Sequence, residues 1–178
     1  MKILITGGAG FLGLHLASYL HKKKNALTLV DIQKFNKEEY PLNSVLATCD
    51  VRDKKKLDKF IKGQDVIIHA AAALPLWSRD DIYTTNIDGT RNVLELAKKH
   101  KIKRVIFISS TAVYGVPKKH PIIETDPRVG VGPYGESKIL AEDLCFKAIA
   151  TGQHVTILRP KTFVGTGRLG VFEILFDW

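Results

Sequence analysis

The sequence predicts an α/β fold built on a doubly wound parallel sheet. Three features predict it. Short, continuous apolar runs recur along the chain, as strands buried on both faces require. Segments with apolar residues at helical spacing fall between those runs. A glycine-rich turn joins the first run to the first helical segment.

The elements follow in order. Residues 2–7, "KILITG", read as a short strand running into glycines, and 11–23 as a helix. Residues 26–31, "ALTLVD", give the second strand. A polar stretch with Pro41 leads to a third strand over 44–51 and a short helix over 55–63 that stops at Gly63. Residues 65–72, "DVIIHAAA", read as a buried strand, 81–100 as one long helix, and 104–110, "RVIFISS", as another buried strand. A loop rich in Pro and Gly runs to Pro133. A helix from about 134 to 150 and a strand over 154–160 follow. Ligands of such sheets bind at the carboxyl ends of the strands.

The bulk numbers exclude several classes. The length of 178 residues suits one domain with a sizeable core. With 45% hydrophobic and 25% charged residues, the chain reads as soluble and globular. Its apolar runs are too short for a membrane span, and "MKILITGG" has no secretory leader, so a cytoplasmic location is expected. Cys49 and Cys145 have no metal-ligand spacing and read as buried, reduced thiols. The formal charge of +9 comes from 27 Lys and Arg against 18 Asp and Glu. Two of the lysine clusters follow helices, where cations complement the dipole. No aromatic-rich strand of RNA-binding type accompanies them, so the charge reads as solvated surface with a lesser role in drawing in phosphates.

The glycine turn "ITGGAGFLG" carries the first chemistry. Gly8, Gly10 and Gly13 satisfy G-x-G-x-x-G, while Gly7, Gly10 and Gly13 satisfy G-x-x-G-x-x-G. In either register the glycines allow a tight turn and close approach of backbone to a pyrophosphate at a helix N-terminus. Glycine turns between strand and helix are common, so the motif needs its context. Asp31 ends the second strand, 18 residues beyond Gly13. A carboxylate there either caps a turn or accepts both hydroxyls of an adenosine ribose. The second role would repel a 2′-phosphate, so NAD is expected over NADP.

Seven segments in order, "TGGAGFLG", Asp31, "CDVRD", "HAAA", "NIDGTRNVLELA", "FISSTAVYG" and "YGESK", give the sequence a family likeness over residues 2 to about 168. It resembles the extended short-chain dehydrogenases/reductases, the NAD-dependent epimerases and dehydratases that act mostly on nucleotide sugars. The resemblance implies a Rossmann-type domain over 1–166, with 167–178 the incomplete start of a smaller substrate lobe. It implies that Phe11 and Leu12 give backbone contacts to the pyrophosphate. It also implies that Asp50 and Val51 lie at the adenine, that Ala70, Ala71 and Ala72 pass beneath the cofactor, and that Asn86 lies near it. Small side chains after a buried strand leave room for a flat ligand, although close packing alone would ask for them too. His69 reads as a packed strand residue, and Tyr114 as structural or cofactor-side.

Tyr134 and Lys138 stand four apart, hence on one helix face. A free tyrosine, with a pKa near ~10, is a poor base at neutral pH. The lysine and the cofactor's positive nicotinamide ring would each favour tyrosinate. Tyr134 then becomes a general base toward a substrate hydroxyl, and the carbon can release hydride to NAD⁺. Family position also gives Lys138 the nicotinamide ribose and Ser110 the reacting oxygen, with Ser109 left to a strand-end turn. Dehydratases of this family carry Asp-Glu just after the catalytic threonine. Thr111 and Ala112 follow Ser110 here, which disfavours 4,6-elimination and leaves epimerisation or simple oxidation and reduction. Lys161 and Thr162 stand where sugar epimerases often carry asparagine, so the particular substrate stays open, and Arg168 reads equally as a phosphate contact or a solvated cation. The expected partner is a small molecule, a nucleotide sugar by resemblance, with no nucleic acid, no membrane and a family tendency to dimerise. Two alternatives stand beside this: a dehydrogenase or reductase of a non-sugar alcohol or carbonyl, and a non-catalytic dinucleotide sensor or scaffold. Without its substrate lobe, the chain would bind NAD yet turn nothing over.

Overall fold

The computed structural model describes residues 1–166. The expectations for 167–178 and for Arg168 fall outside the described residues. Six parallel strands form one sheet in the order β3-β2-β1-β4-β5-β6. They are β1 (Lys2–Thr6), β2 (Ala26–Asp31), β3 (Val45–Thr48), β4 (Val66–His69), β5 (Arg104–Ile108) and β6 (Val155–Leu158). The chain winds outward in both directions from β1, so the crevice of the topological switch lies between β1 and β4.

The apolar runs face two cores. Ile3 and Ile5 of β1, with Leu27 and Leu29 of β2, pack on Ala17 of α1 (Phe11–Lys22). Leu4, Val30, Ile67, Val105 and Phe107 point the other way. They meet Leu57 and Ile61 of α2 (Lys54–Ile61), Val93 and Leu96 of α4 (Gly89–Lys99), and Ala141 and Cys145 of α5 (Gly132–Ala150). Cys49 and Cys145 are both buried free thiols, as expected. Among the described residues, no helix is long and apolar enough to cross a membrane.

The long helix differs from its prediction. It begins earlier, at α3 (Arg79–Tyr83), because the Ser78 hydroxyl accepts the Asp81 N–H at 3.1 Å and caps it. It then widens into a π-turn over Thr84–Asp88 before α4. Helix α5 also starts ahead of expectation, with Pro133 inside its first turn, where a missing N–H costs nothing. The strands over 65–72 and 104–110 stop at His69 and Ile108, so the alanines and Ser110 leave the sheet and line its carboxyl edge.

Candidate active site

The glycine turn is closed by its own packing. Gly7 lies in the left-handed region (φ 71°), and a Cβ there would stand 2.7 Å from the Ala70 and Ala71 backbone across the crevice. A Cβ on Gly13 would stand 2.4 Å from the Gly7 carbonyl oxygen, so helix and turn touch backbone to backbone. Gly10 differs. It is exposed, it is the N-cap of α1, and a Cβ there would meet only the Gly7 oxygen, at 3.4 Å. Protein packing hardly asks for glycine at that position, whereas a pyrophosphate seated on the turn would. The first helical bond runs from Leu14 N–H to Gly10 O at 3.0 Å. The N–H groups of Phe11, Leu12 and Gly13 therefore have no helical acceptor. The first turn carries no acidic side chain and no side-chain cap, so its positive dipole end is left for an anion.

Asp31 makes the turn contacts of the capping reading. One carboxylate oxygen accepts the Ala9 N–H of the glycine turn at 3.0 Å, and the other accepts the Gln33 N–H at 2.9 Å. It braces the turn from a half-exposed position at the same sheet edge. Asp50 is engaged by Arg52, whose Nη2 donates to it at 2.8 Å while Nη1 reaches Asp81 at 3.0 Å. Burial raises the Asp50 carboxyl, and the bonds from Arg52 outweigh it and hold it low. The Val51 side chain is buried against Gly89, so only its backbone is left for a ligand.

Asn86 is buried in the π-turn and ties three segments together. Its amide oxygen accepts the Ala73 N–H at 2.8 Å, and its amide nitrogen donates to the Ser137 hydroxyl at 2.9 Å. Ser137 in turn donates to the Tyr134 carbonyl at 2.8 Å. The alanine loop and the helix carrying Tyr134 are thus fixed to one amide. His69 is a packed strand residue, as expected. Its Nδ1 lies 2.7 Å from Thr6 Oγ1 and its Nε2 lies 3.0 Å from Thr90 Oγ1.

Tyr134, Lys138 and Ser110 meet at the carboxyl end of β5. The Lys138 ammonium donates to Ile108 O at 3.0 Å and lies 5.8 Å from the centre of the Tyr134 ring. Burial lowers its pKa to about 8. Burial pushes the Tyr134 phenol up, and its hydrogen bond with Ser110 pulls it partly back. Lys138 is bonded to a carbonyl and buried, and the phenol beside it stands above the ordinary tyrosine value rather than below it, where the sequence expects the lysine to place it. Ser110 also caps the 3₁₀ turn Thr111–Tyr114 by accepting the Ala112 N–H at 3.1 Å.

Several contacts at the site carried no signal in the sequence. Tyr40 donates to Gly8 O at 2.9 Å from a loop with no periodicity. The Ser109 hydroxyl donates to the buried Glu142 at 2.6 Å rather than merely closing a turn. Tyr114 is structural: its oxygen accepts from Arg159 at 2.7 Å. Glu142 could have been noticed, because it continues the four-residue spacing of Tyr134 and Lys138.

Sheet order, glycine turn and crevice together define a fold of the dinucleotide-binding Rossmann type. Residues 3–173 match the model of the NAD dependent epimerase/dehydratase family, and the chain belongs to that family. It is 35% identical to a probable UDP-arabinose 4-epimerase of Arabidopsis thaliana over 190 residues, covering 94% of this chain and 46% of the relative. It superposes on a crystal structure of UDP-galactose 4-epimerase with a TM-score of 0.90 and 28% identity, covering 99% of this chain and 62% of the other. The UDP-glucose 4-epimerase of Bifidobacterium longum, solved with NAD⁺ and UDP, matches with a TM-score of 0.81 and 30% identity over 89% of this chain and 52% of that one. The chain thus spans about half the length of such relatives.

Proposed function

We propose that residues 1–166 are the NAD-binding domain of an enzyme that acts on a nucleotide sugar by tyrosine-assisted hydride transfer at one carbon. The observation that carries this reading is the convergence of Tyr134, Lys138 and Ser110 at the end of β5, across the sheet edge from the Gly7–Gly13 turn. Epimerisation, or a simple oxidation or reduction, uses only these three groups. Elimination of water would need an acid and a base where Thr111 and Ala112 stand. Residues 167–178 are read as the start of the substrate lobe.

The open face of Gly10 and the free N–H groups of Phe11, Leu12 and Gly13 suit a pyrophosphate. Asp31 would take the adenosine ribose hydroxyls and exclude a 2′-phosphate. The backbone at Asp50 and Val51 would border the adenine, and Ala70, Ala71 and Ala72 would lie beneath the cofactor, held in place by Asn86. Lys138 would reach the nicotinamide ribose. When bound, NAD supplies the two-electron acceptor and donor and a positive ring. Ser110 holds the reacting oxygen and Tyr134 takes its proton. Because burial keeps the Tyr134 phenol protonated near neutrality, its work as a base depends on positive charge arriving beside it.

One experiment separates binding from chemistry. Dissociation constants for NAD and NADP, and turnover of UDP-sugars by the complete protein, are measured for the wild type and for Tyr134→Phe. NAD is expected to bind more tightly than NADP to both, with turnover lost in the variant. Tighter NADP binding would refute the role of Asp31, and retained turnover would refute that of Tyr134.

A further inference from the structure

Glu142 has no part in the chemistry proposed above, yet it is completely buried and its carboxylate accepts four hydrogen bonds. Oε1 accepts from Ser109 Oγ at 2.6 Å and from Arg159 Nε at 2.8 Å. Oε2 accepts from Arg159 Nη2 at 2.8 Å and from Arg128 Nη1 at 3.2 Å. Arg159, just beyond β6, also donates to the Tyr114 hydroxyl at 2.7 Å and to Glu124 O at 2.9 Å. One carboxylate therefore ties α5 to the ends of β5 and β6 and to the loop that precedes α5.

Its place on α5 gives the cluster a purpose. Tyr134, Lys138 and Glu142 recur every four residues and share one face. Three consecutive residues at the end of β5 meet that face in turn. Ser110 faces Tyr134, Ile108 O accepts from Lys138, and Ser109 donates to Glu142. A buried ion pair is a poor device for stability, because desolvation opposes the attraction, whereas its fixed geometry specifies registry. An apolar side chain at 142 could fill the same space. It could neither fix the three rungs nor place an anion one turn from the lysine.

We propose that Glu142 is a positioning residue that fixes the end of β5 against α5, thereby setting Ser110 against Tyr134, and that it places a buried anion one helical turn from the Lys138 ammonium. The consequence for turnover rests on the Tyr134 reading; the electrostatics do not. Lys138 is faced by Phe107 from β5, His69 from β4, and Tyr134, Glu142 and Cys145 on its own helix. Burial holds His69 neutral, with a pKa near 3, and pushes the Cys145 thiol up to about 12. Tyr134 is held protonated. Glu142 is the one neighbour of these that is charged when Lys138 titrates. Burial pushes its carboxyl up, but bonds from Arg159 and Ser109 and the charges of Arg159 and Arg128 outweigh that and hold it low. Asp143 faces Arg128 on the far side, at 2.8 Å.

The test is NMR titration of the complete protein, labelled at lysine Cε and tyrosine Cζ, with signals assigned from Lys138→Met and Tyr134→Phe. In Glu142→Gln, Lys138 is expected to titrate lower by on the order of one pH unit. In Ser109→Ala the charge remains, so Lys138 titrates as in the wild type while Tyr134 moves up as its bond with Ser110 loosens. An unmoved Lys138 in Glu142→Gln, or an unmoved Tyr134 in Ser109→Ala, overturns the proposal. If Glu142→Gln does not fold, Ser109→Ala decides alone. These readouts need no turnover, so a fully active Tyr134→Phe enzyme would refute the proposed function without touching them.

Discussion

His69 sits in a chain of hydrogen bonds whose proton directions can be assigned. Thr90 gives its only hydroxyl proton to Asn86 O at 2.6 Å, so its oxygen must accept from His69 Nε2. The neutral ring then accepts at Nδ1 from Thr6, whose oxygen takes the Ala71 N–H at 3.2 Å. A second ring proton would have to displace the Thr6 hydroxyl proton from Nδ1, at a buried position. Burial, and secondarily the Lys138 charge, lower the His69 pKa from 6.5 to about 3. The folded state therefore binds fewer protons than the unfolded chain between these values, and stability falls as pH drops through that window. For one proton the slope is at most about 1.4 kcal/mol per pH unit. Urea unfolding between pH 7 and pH 4 is expected to show a shallower loss in His69→Gln than in the wild type. Parallel losses would mean that His69 takes up its proton in the folded state. The sequence reading of His69 as a packed strand residue agrees with its burial. It did not reveal the Thr6 and Thr90 partners, which lie 63 and 21 residues away.

At the scale of elements, the glycine turn makes two separable demands. Gly13 and Gly7 are required by the contact of backbone with backbone, and Gly10, under the proposed function, by the pyrophosphate the turn would receive. Gly13→Ala is expected to cost about 1–3 kcal/mol of stability through overpacking, because a peptide oxygen rather than a flexible side chain stands in the way. Gly10→Ala is expected to leave the thermal midpoint nearly unchanged and to weaken NAD binding at least tenfold, measured by calorimetry. Equal NAD affinity in Gly10→Ala would remove the pyrophosphate from the turn. The strand cores and α1 were legible because a buried parallel strand has one simple sequence signature. Their carboxyl ends were not, since Ala70–Ala72 and Ser110 are small enough to extend a strand pattern while in fact leaving the sheet. The π-turn was hidden as well. Hydroxyl-to-carbonyl bonds of Thr84 and Thr90 and the close approach of Gly89 to Val51 accompany it, and none of these disturbs the apolar spacing of a helix.

Across the whole molecule, a parallel sheet that reverses its winding beside β1 collects every proposed contact at one edge. Gly7 and Ala70 abut across the switch, Asp31 stands on one side of it, and Ser110 with α5 on the other. Sequence motifs located these residues because each follows a strand. The network behind them was not legible, because Arg128, Glu142 and Arg159 lie far apart in the chain and form no motif until β5, β6 and α5 are assembled. The central claim is that hydride leaves and returns at one carbon under the control of Tyr134, and the solvent isotope distinguishes this from other routes. The complete protein, with NAD and a panel of UDP-sugars in D₂O, is expected to form an epimer that carries no solvent deuterium at the inverted carbon, or to accumulate NADH and a keto sugar. Deuterium at that carbon, read by mass spectrometry and NMR of the product, would show that the hydrogen left as a proton and would contradict the account.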